Sequence, residues 1–240
     1  MDAKMGEAVK SDIRTFDFVE ALSEKFETSR PRRKGEVTRT RIDIACARTL
    51  NKIGFNRVTV KDIATDAQIS SAAFYQYYDN KTEAAAKILG QFIFWATALI
   101  TDTARAARGD LSAELTAGNL AWLRSARANA GLIHCLLQVS DSDNGFASLY
   151  RKSNESFIAR SADALLRQAG NTSSQADAPA VFRFKVYALS AMMDEVTRSL
   201  FVRESPLLKD ILRDTGYDDQ ALAEALAVIW HRTLFGCDPS

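Results

Sequence analysis

The sequence predicts an all-α protein, on three observations. Apolar residues recur at helical spacing nearly throughout the chain. Only 4 prolines and 11 glycines interrupt 240 residues. Most of the gaps between periodic runs carry a glycine, at Gly109, Gly131, Gly145, Gly170 and Gly216. The length suits one large domain, or a small domain joined to a medium one, and either buries a real core. With 47% apolar and 25% charged residues, the composition is that of a soluble globular protein.

The elements follow in order. Residues 1–37 read as an extension. Within it Ser11 is a possible cap for a helix carrying Ile13, Phe16, Val19, Leu22 and Phe26 on one face, and Ser29 to Gly35 is a basic linker broken by Pro31 and Gly35. A helix over 38–54 places Ile42, Ala45, Cys46, Leu50 and Ile53 in one buried stripe and stops at Gly54. Thr59 begins the next helix, with Asp62 completing a short-armed capping box and Val60, Ile63, Ala64 and Ala67 facing inward. After a tight break at Gln68-Ile69-Ser70, Ser70 caps a third helix from Ser71 to Tyr77, where Ile69 and Phe74 are spaced as a hydrophobic staple. Asn80-Lys81-Thr82-Glu83 is a second capping box and opens a long helix to about Ala107. Further helices are expected over 110–130, 132–140, 144–169, 177–203, 206–214 and 218–235. The expected domains are 1–37, an extension and basic arm; 38–83, a DNA-binding unit; and 84–240, a helical body.

Several function classes drop out. The 3 cysteines, Cys46, Cys135 and Cys237, are far apart and form no metal-type pair, so neither a disulfide framework nor a metal site is expected, and a reducing cytoplasm is. Asp2 and Glu7 stand where a secretory signal needs cations. The most apolar run, Phe92 to Ile100, is about half the roughly 20 residues of a spanning helix, so no membrane role is expected. The two histidines, His134 and His231, have no catalytic partner at motif spacing, and no phosphate loop, nucleophile elbow or zinc-protease motif occurs. No enzyme activity and no cofactor are expected.

Net charge is only +1, but its distribution is uneven. Residues 30–81 carry 11 Lys/Arg against 5 Asp/Glu, a net +6, which leaves −5 on the remainder. A basic segment on a mildly acidic body is the footprint of a protein that touches DNA at one end. Two short helices across a tight turn, the second opening with small polar residues, form a helix-turn-helix, in which the first helix braces the second in the major groove. Ser71, Ala72 and Ala73 let backbone approach base edges, Tyr75 and Tyr78 offer hydroxyls to phosphate, and Lys81 sits at a helix N-terminus suited to an anion. Read blandly, the aromatic cluster is core, Ser71 is a helix-start residue, and the basic linker is a solvated tether.

The run from Arg41 to Glu83, with Gly54-Phe55, Val58-Thr59-Val60, Asp62-Ile63-Ala64, Ile69-Ser70 and above all Phe74-Tyr75-Gln76-Tyr77-Tyr78-Asp79-Asn80-Lys81, resembles the N-terminal domain of TetR-family regulators. The resemblance implies a double-stranded DNA partner. Thr59 and Lys61 would approach backbone or base, and Ser71, Ala72, Ala73 and Gln76 would face the groove. Tyr75 and Lys81 would hold phosphate, and Tyr77 would touch either base or backbone. One departure is Gln68, where the family usually carries glycine. The resemblance also implies a homodimer built on the last two long helices and a pocket for a small apolar effector among the middle ones. Val181, Phe184, Tyr187, Ala188, Ala191, Met192 and Leu200, with Ala221, Leu222, Ala225, Val228, Ile229 and Leu234, suit such a seam or an internal core. Trp95, Trp122, His134, Leu137, Phe146, Tyr150, Phe157, Met192 and Met193 are the pocket candidates. The function expected is a ligand-responsive regulator, most simply a repressor released from a palindromic operator. The alternatives are an activator of the same fold, or a helical interaction protein that has lost DNA binding.

Overall fold

The computed structural model describes residues 15–29, 33–107, 110–142, 144–169 and 178–237. Among them every regular element is a helix: α1 Phe18–Thr28, α2 Lys34–Ile53, α3 Val60–Asp66, α4 Ser71–Phe74, α5 Lys81–Ala106, α6 Leu111–Ala128, α7 Ala130–Ser142, α8 Asn144–Ala169, α9 Pro179–Phe201, α10 Pro206–Thr215 and α11 Asp219–Phe235. The expected Ser11 cap and Ile13, the arm residues Arg30, Pro31 and Arg32, and residues 170–177 lie outside the described residues. Asp17 is the cap that opens α1, its carboxylate accepting from the N–H groups of Val19 and Glu20.

Helices α2 and α7 differ from the sequence reading in where a glycine falls. Helix α2 begins at Lys34, not 38, and so takes in Gly35. Glycine costs little there, because a helix's first turn has no intrahelical acceptors for its N–H groups. Gly131, read as a break, lies inside α7. A Cβ built on it would stand 1.9 Å from the Asn51 carbonyl oxygen of α2. The glycine is there for backbone contact between two helices rather than for a turn.

Two cores divide the molecule. The first joins α1, α2, α3, α4, α5 and α7 around Phe18, Ile42, Leu50, Ile63, Phe74, Ile88, Phe92 and Leu132. The second joins α6, α8, α9 and α11 around Leu123, Phe182, Val186, Met193, Leu226 and Trp230. Trp122 and Phe201 pack against both. Helix α5 is the spine, touching α1, α2, α6, α7 and α8. By length and composition it is also apolar enough to cross a membrane, an 18-residue stretch of it having a mean hydropathy of 1.4. It exceeds the run noted in the sequence because alanines extend the apolar stretch on both sides. Ala84, Ala85, Ile88, Leu89, Phe92, Ala96 and Leu99 spend that character inside the protein.

Candidate nucleic-acid interface

The helix-turn-helix is α3, a turn and α4. At its start the Thr59–Asp62 capping box is complete: Asp62 N donates to Thr59 Oγ1 at 3.2 Å and Thr59 N donates to Asp62 Oδ2 at 2.9 Å. The Thr59 hydroxyl also donates to Asp62 Oδ2, at 2.6 Å. These bonds from Thr59 hold the Asp62 carboxyl below its ordinary value. Thr59 spends its hydroxyl on the cap, so its exposed face offers DNA mainly a methyl group. Lys61, next along, is exposed.

The turn resolves the departure at Gln68. Its φ is +57°, in the left-handed region. Ile69 N donates to Ala64 O at 3.0 Å and Gln68 N to Thr65 O at 3.1 Å, which is a Schellman closure with glutamine in the position glycine favours. Arg41 Nη2 holds the Gln68 side chain at 3.0 Å. Left-handed backbone costs a residue with a Cβ about 1–2 kcal/mol. Gln68→Gly is therefore expected to raise the melting temperature by about 2–4 °C per kcal/mol recovered, as calorimetry would show. A lower melting temperature would mean that the Arg41 bond outweighs the strain.

Ser70 then caps α4, accepting from Ala73 N at 3.1 Å. The α-helix proper ends at Phe74, and turns carry the chain to Tyr77 through Tyr77 N→Phe74 O at 2.9 Å. Phe74 is fully buried. Ser71, Ala72, Tyr75 and Gln76 are exposed, and Ala73 and Tyr77 are half-buried. The residues expected from sequence to face the groove are thus exposed or half-buried. Tyr75 is 56% exposed with its ring edge-on to Phe74. The Cβ position of Gly35 lies 3.9 Å from the Tyr77 hydroxyl, so the first turn of α2 borders the same surface. The sequence reading left that neighbour out because it placed Gly35 in a linker.

Behind α4, Tyr78 is buried and donates its hydroxyl to Asp43. Lys87 Nζ donates to Asp43 Oδ2 at 2.9 Å and to the Tyr78 oxygen at 2.7 Å. Burial first, then the Asp43 carboxylate, pushes the Tyr78 hydroxyl far above its ordinary range. Tyr78, offered to phosphate in the sequence reading, instead ties α4 to α2 and α5. Lys81 is half-buried, and its ammonium donates to Phe55 O at 3.0 Å and Val58 O at 2.9 Å while lying over the Phe55 ring. Two of its three donors close the α2–α3 loop, and one remains for an anion. In the second capping box Glu83 N donates to Asn80 Oδ1 at 2.9 Å, but Glu83 itself accepts from Asp79 N, one residue before the cap.

The nine pocket candidates are spread over the two cores and the outer face of α7. Trp95 packs on Phe18 and Phe92 in the first core. Phe146 is buried there and stacks on Tyr150. Trp122 donates to Thr197 Oγ1 at 2.9 Å between the two cores. Phe157, Met192 and Met193 belong to the second core. His134 is exposed and bonds Gln138 at 3.1 Å, and Leu137 is 39% exposed, because both lie on the outer face of α7. A polar group that the sequence reading passed over stands between α8 and α9: burial raises the Asp194 carboxyl, with Arg198 opposing, and the Asp194 charge helps burial to raise Tyr150. A carboxyl raised in the folded state is charged in the unfolded chain before it is charged in the native one. Its contribution to stability is therefore lost as pH rises through the folded value. Asp194→Asn should raise the melting temperature at pH 7, with the advantage gone below the ordinary carboxylate range of about 3.9.

This arrangement, a helix-turn-helix rooted on a helical body, is the fold of a class of DNA-binding transcriptional regulators. Residues 45–87 match the family described as bacterial regulatory proteins, tetR family. Solved structures agree across the chain. A transcriptional regulator from Rhodococcus sp. Rha1 superposes with TM-score 0.63 at 19% identity, over 84% of this chain and 98% of that one. A TetR-family regulator from Mesorhizobium loti gives 0.63 at 13% identity, over 83% and 97%. The fatty acid degradation regulator FadR from Bacillus halodurans gives 0.60 at 16%, over 83% and 95%. At these identities the likeness is one of fold. No curated relative matches by sequence. Residues 45–87 thus carry the N-terminal domain of the tetR family, and the chain around them has the fold of these regulators.

Proposed function

We propose that the protein is a cytoplasmic, homodimeric repressor that reads a palindromic duplex through α4 and is released by a small apolar effector bound in the body. The observation that carries the reading is the surface of α3 and α4, where Lys61, Ser71, Ala72, Tyr75 and Gln76 are exposed together over a buried Phe74–Tyr78 anchor. A second copy is supported by α9, whose Val181, Phe184 and Tyr187 are 47%, 70% and 56% exposed, and by Ile229 of α11 at 44%. A monomer rarely leaves such a stripe uncovered. Two recognition helices related by a two-fold axis read half-sites about one helical turn, ~34 Å, apart.

Selection from random duplexes tests this reading directly, and failure to recover a palindrome would refute it. Once a site is known, the roles separate. Tyr75→Phe should weaken specific and scrambled duplexes alike, since phosphate contacts carry no base information, whereas Gln76 or Ala73 substitutions should change the preferred sequence. Lys81→Ala should lower the melting temperature as well as the affinity, because it strips the α2–α3 loop of its two carbonyl bonds. A Tyr75→Phe variant that changed only sequence preference would reverse the assignment.

A further inference from the structure

We propose that α1 is a clamp that sets the angle between the DNA-binding domain and the body, with Asn129 as its positioning residue. Helix α1 lies outside the segment that matches the family. It is nonetheless built into the junction of the two parts. Asn129 stands in the break between α6 and α7 and is completely buried. Its Oδ1 accepts from Phe18 N at 3.0 Å, and its Nδ2 donates to Phe16 O at 2.8 Å and Ser125 O at 2.7 Å. Both amide protons are used, so one side chain staples the entry of α1 to the end of α6. Phe18, 1% exposed, drives the staple home with its ring 5.5 Å from Phe92 and 5.4 Å from Trp95 of α5.

The same break is gripped from the other side by the DNA-binding domain. Asn51 of α2 donates to Ala128 O at 3.0 Å and accepts from Leu132 N at 3.2 Å. One asparagine from α2 and one from the break thus satisfy backbone groups that a helix interruption leaves over. Helix α1 packs on α2 as well as on α5. Helix α2 is therefore held by α7 at one place and by α1 at another, and it carries α3 and α4 with it. With α1 docked by the Asn129 bonds, a tilt of α2 about α5 strains the Asn51 bonds and slides α2 against α1. A shift of the α6–α7 break moves Asn129, and with it Phe16 and Phe18. The consequence for DNA reading rests on the function proposed above, but the geometry itself does not.

The test reads that geometry without DNA. In the full chain carrying Cys237→Ser, nitroxide labels at Thr65→Cys on α3 and Glu155→Cys on α8, both exposed positions, report the domain-to-body distance by pulsed electron resonance. Dilution with unlabelled protein suppresses signals between copies. The buried Cys46 and Cys135 stay unlabelled. The parent should give one narrow distribution, and Asn129→Ala and Phe18→Ala should make it roughly twice as wide or more, as expected when a local docking contact opens. Phe18→Leu, closer in volume, replaces Phe18→Ala if the latter does not fold. An unchanged distribution in variants with a lowered melting temperature would overturn the clamp and leave α1 as passive packing. A parent that selects no palindrome would instead refute the DNA-reading proposal and leave this result standing.

Discussion

Gly131→Ala should be among the most damaging single methyl additions to this chain. The new Cβ would stand 1.9 Å from the Asn51 carbonyl oxygen and 2.6 and 2.8 Å from the Asn51 carbonyl carbon and Cα. All three are main-chain atoms, so no rotamer change relieves the clash and α2 must separate from α7. Separation also strains the Asn51 bonds to Ala128 and Leu132, each of a kind worth about 1 kcal/mol net. Overpacking by a methyl group costs about 1–3 kcal/mol and sometimes more. The sum points to a loss of about 3 kcal/mol or more, which at 2–4 °C per kcal/mol lowers the melting temperature by about 6–12 °C. Gly118→Ala is the matched control. Its Cβ would meet Ala104 Cβ at 3.5 Å and Ile100 Cγ2 at 3.7 Å, ordinary contact distances. Alanine is favoured over glycine inside a helix by about 1 kcal/mol, so that variant should melt at or above the parent temperature. If Gly131→Ala melted with Gly118→Ala, α2 and α7 would not approach as closely as described.

The same glycine shows where the sequence was legible and where it was not. Helix boundaries governed by local chemistry could be read: Thr59 with Asp62, Ser70 before α4 and Asn80 before α5 all cap helices as their side chains dictate. The exposure of Ser71 and Ala72 beside a buried Phe74 was legible for the same reason, since one turn of small residues over an aromatic anchor is a local pattern. Gly131 misled because a glycine that ends a helix and one that admits a neighbouring helix look alike until the neighbour is placed. Tyr78 and Lys81 were ambiguous in the same way. Their donors can go to phosphate or to the protein, and only the positions of Asp43, Phe55 and Val58 show that much of that capacity is used internally. Asn51, Asn129 and Asp194 gave no sequence signal, because each acquires its role from partners on another helix. Large apolar residues among the middle helices suit a pocket and a core equally well, so the pocket candidates carry no signal of their own.

Phe184→Glu, combined with Tyr187→Glu, is expected to convert the protein to a monomer and to abolish tight operator binding. Both side chains point outward from α9, 70% and 56% exposed in the single chain, while Phe182, Val186 and Leu189 on the opposite face fill the core. The substitutions therefore leave the fold nearly untouched, since exposed positions usually change stability by less than about 0.5 kcal/mol. In a two-fold seam each residue acts twice, so the double variant places four carboxylates in one apolar interface. Aromatic anchors at such centres cost about 2–4 kcal/mol or more each when removed, and buried like charges add to that. Sedimentation velocity at micromolar concentration should then show one 26.5 kDa species. The DNA consequence is larger than the loss of any base contact. Two recognition helices in one dimer bind the second half-site intramolecularly, which raises affinity by roughly 10²–10⁴ over one half-site. The monomeric variant should lose about that factor on a palindrome and almost nothing on an isolated half-site. A variant that remained dimeric and kept full affinity would move the seam away from this face of α9.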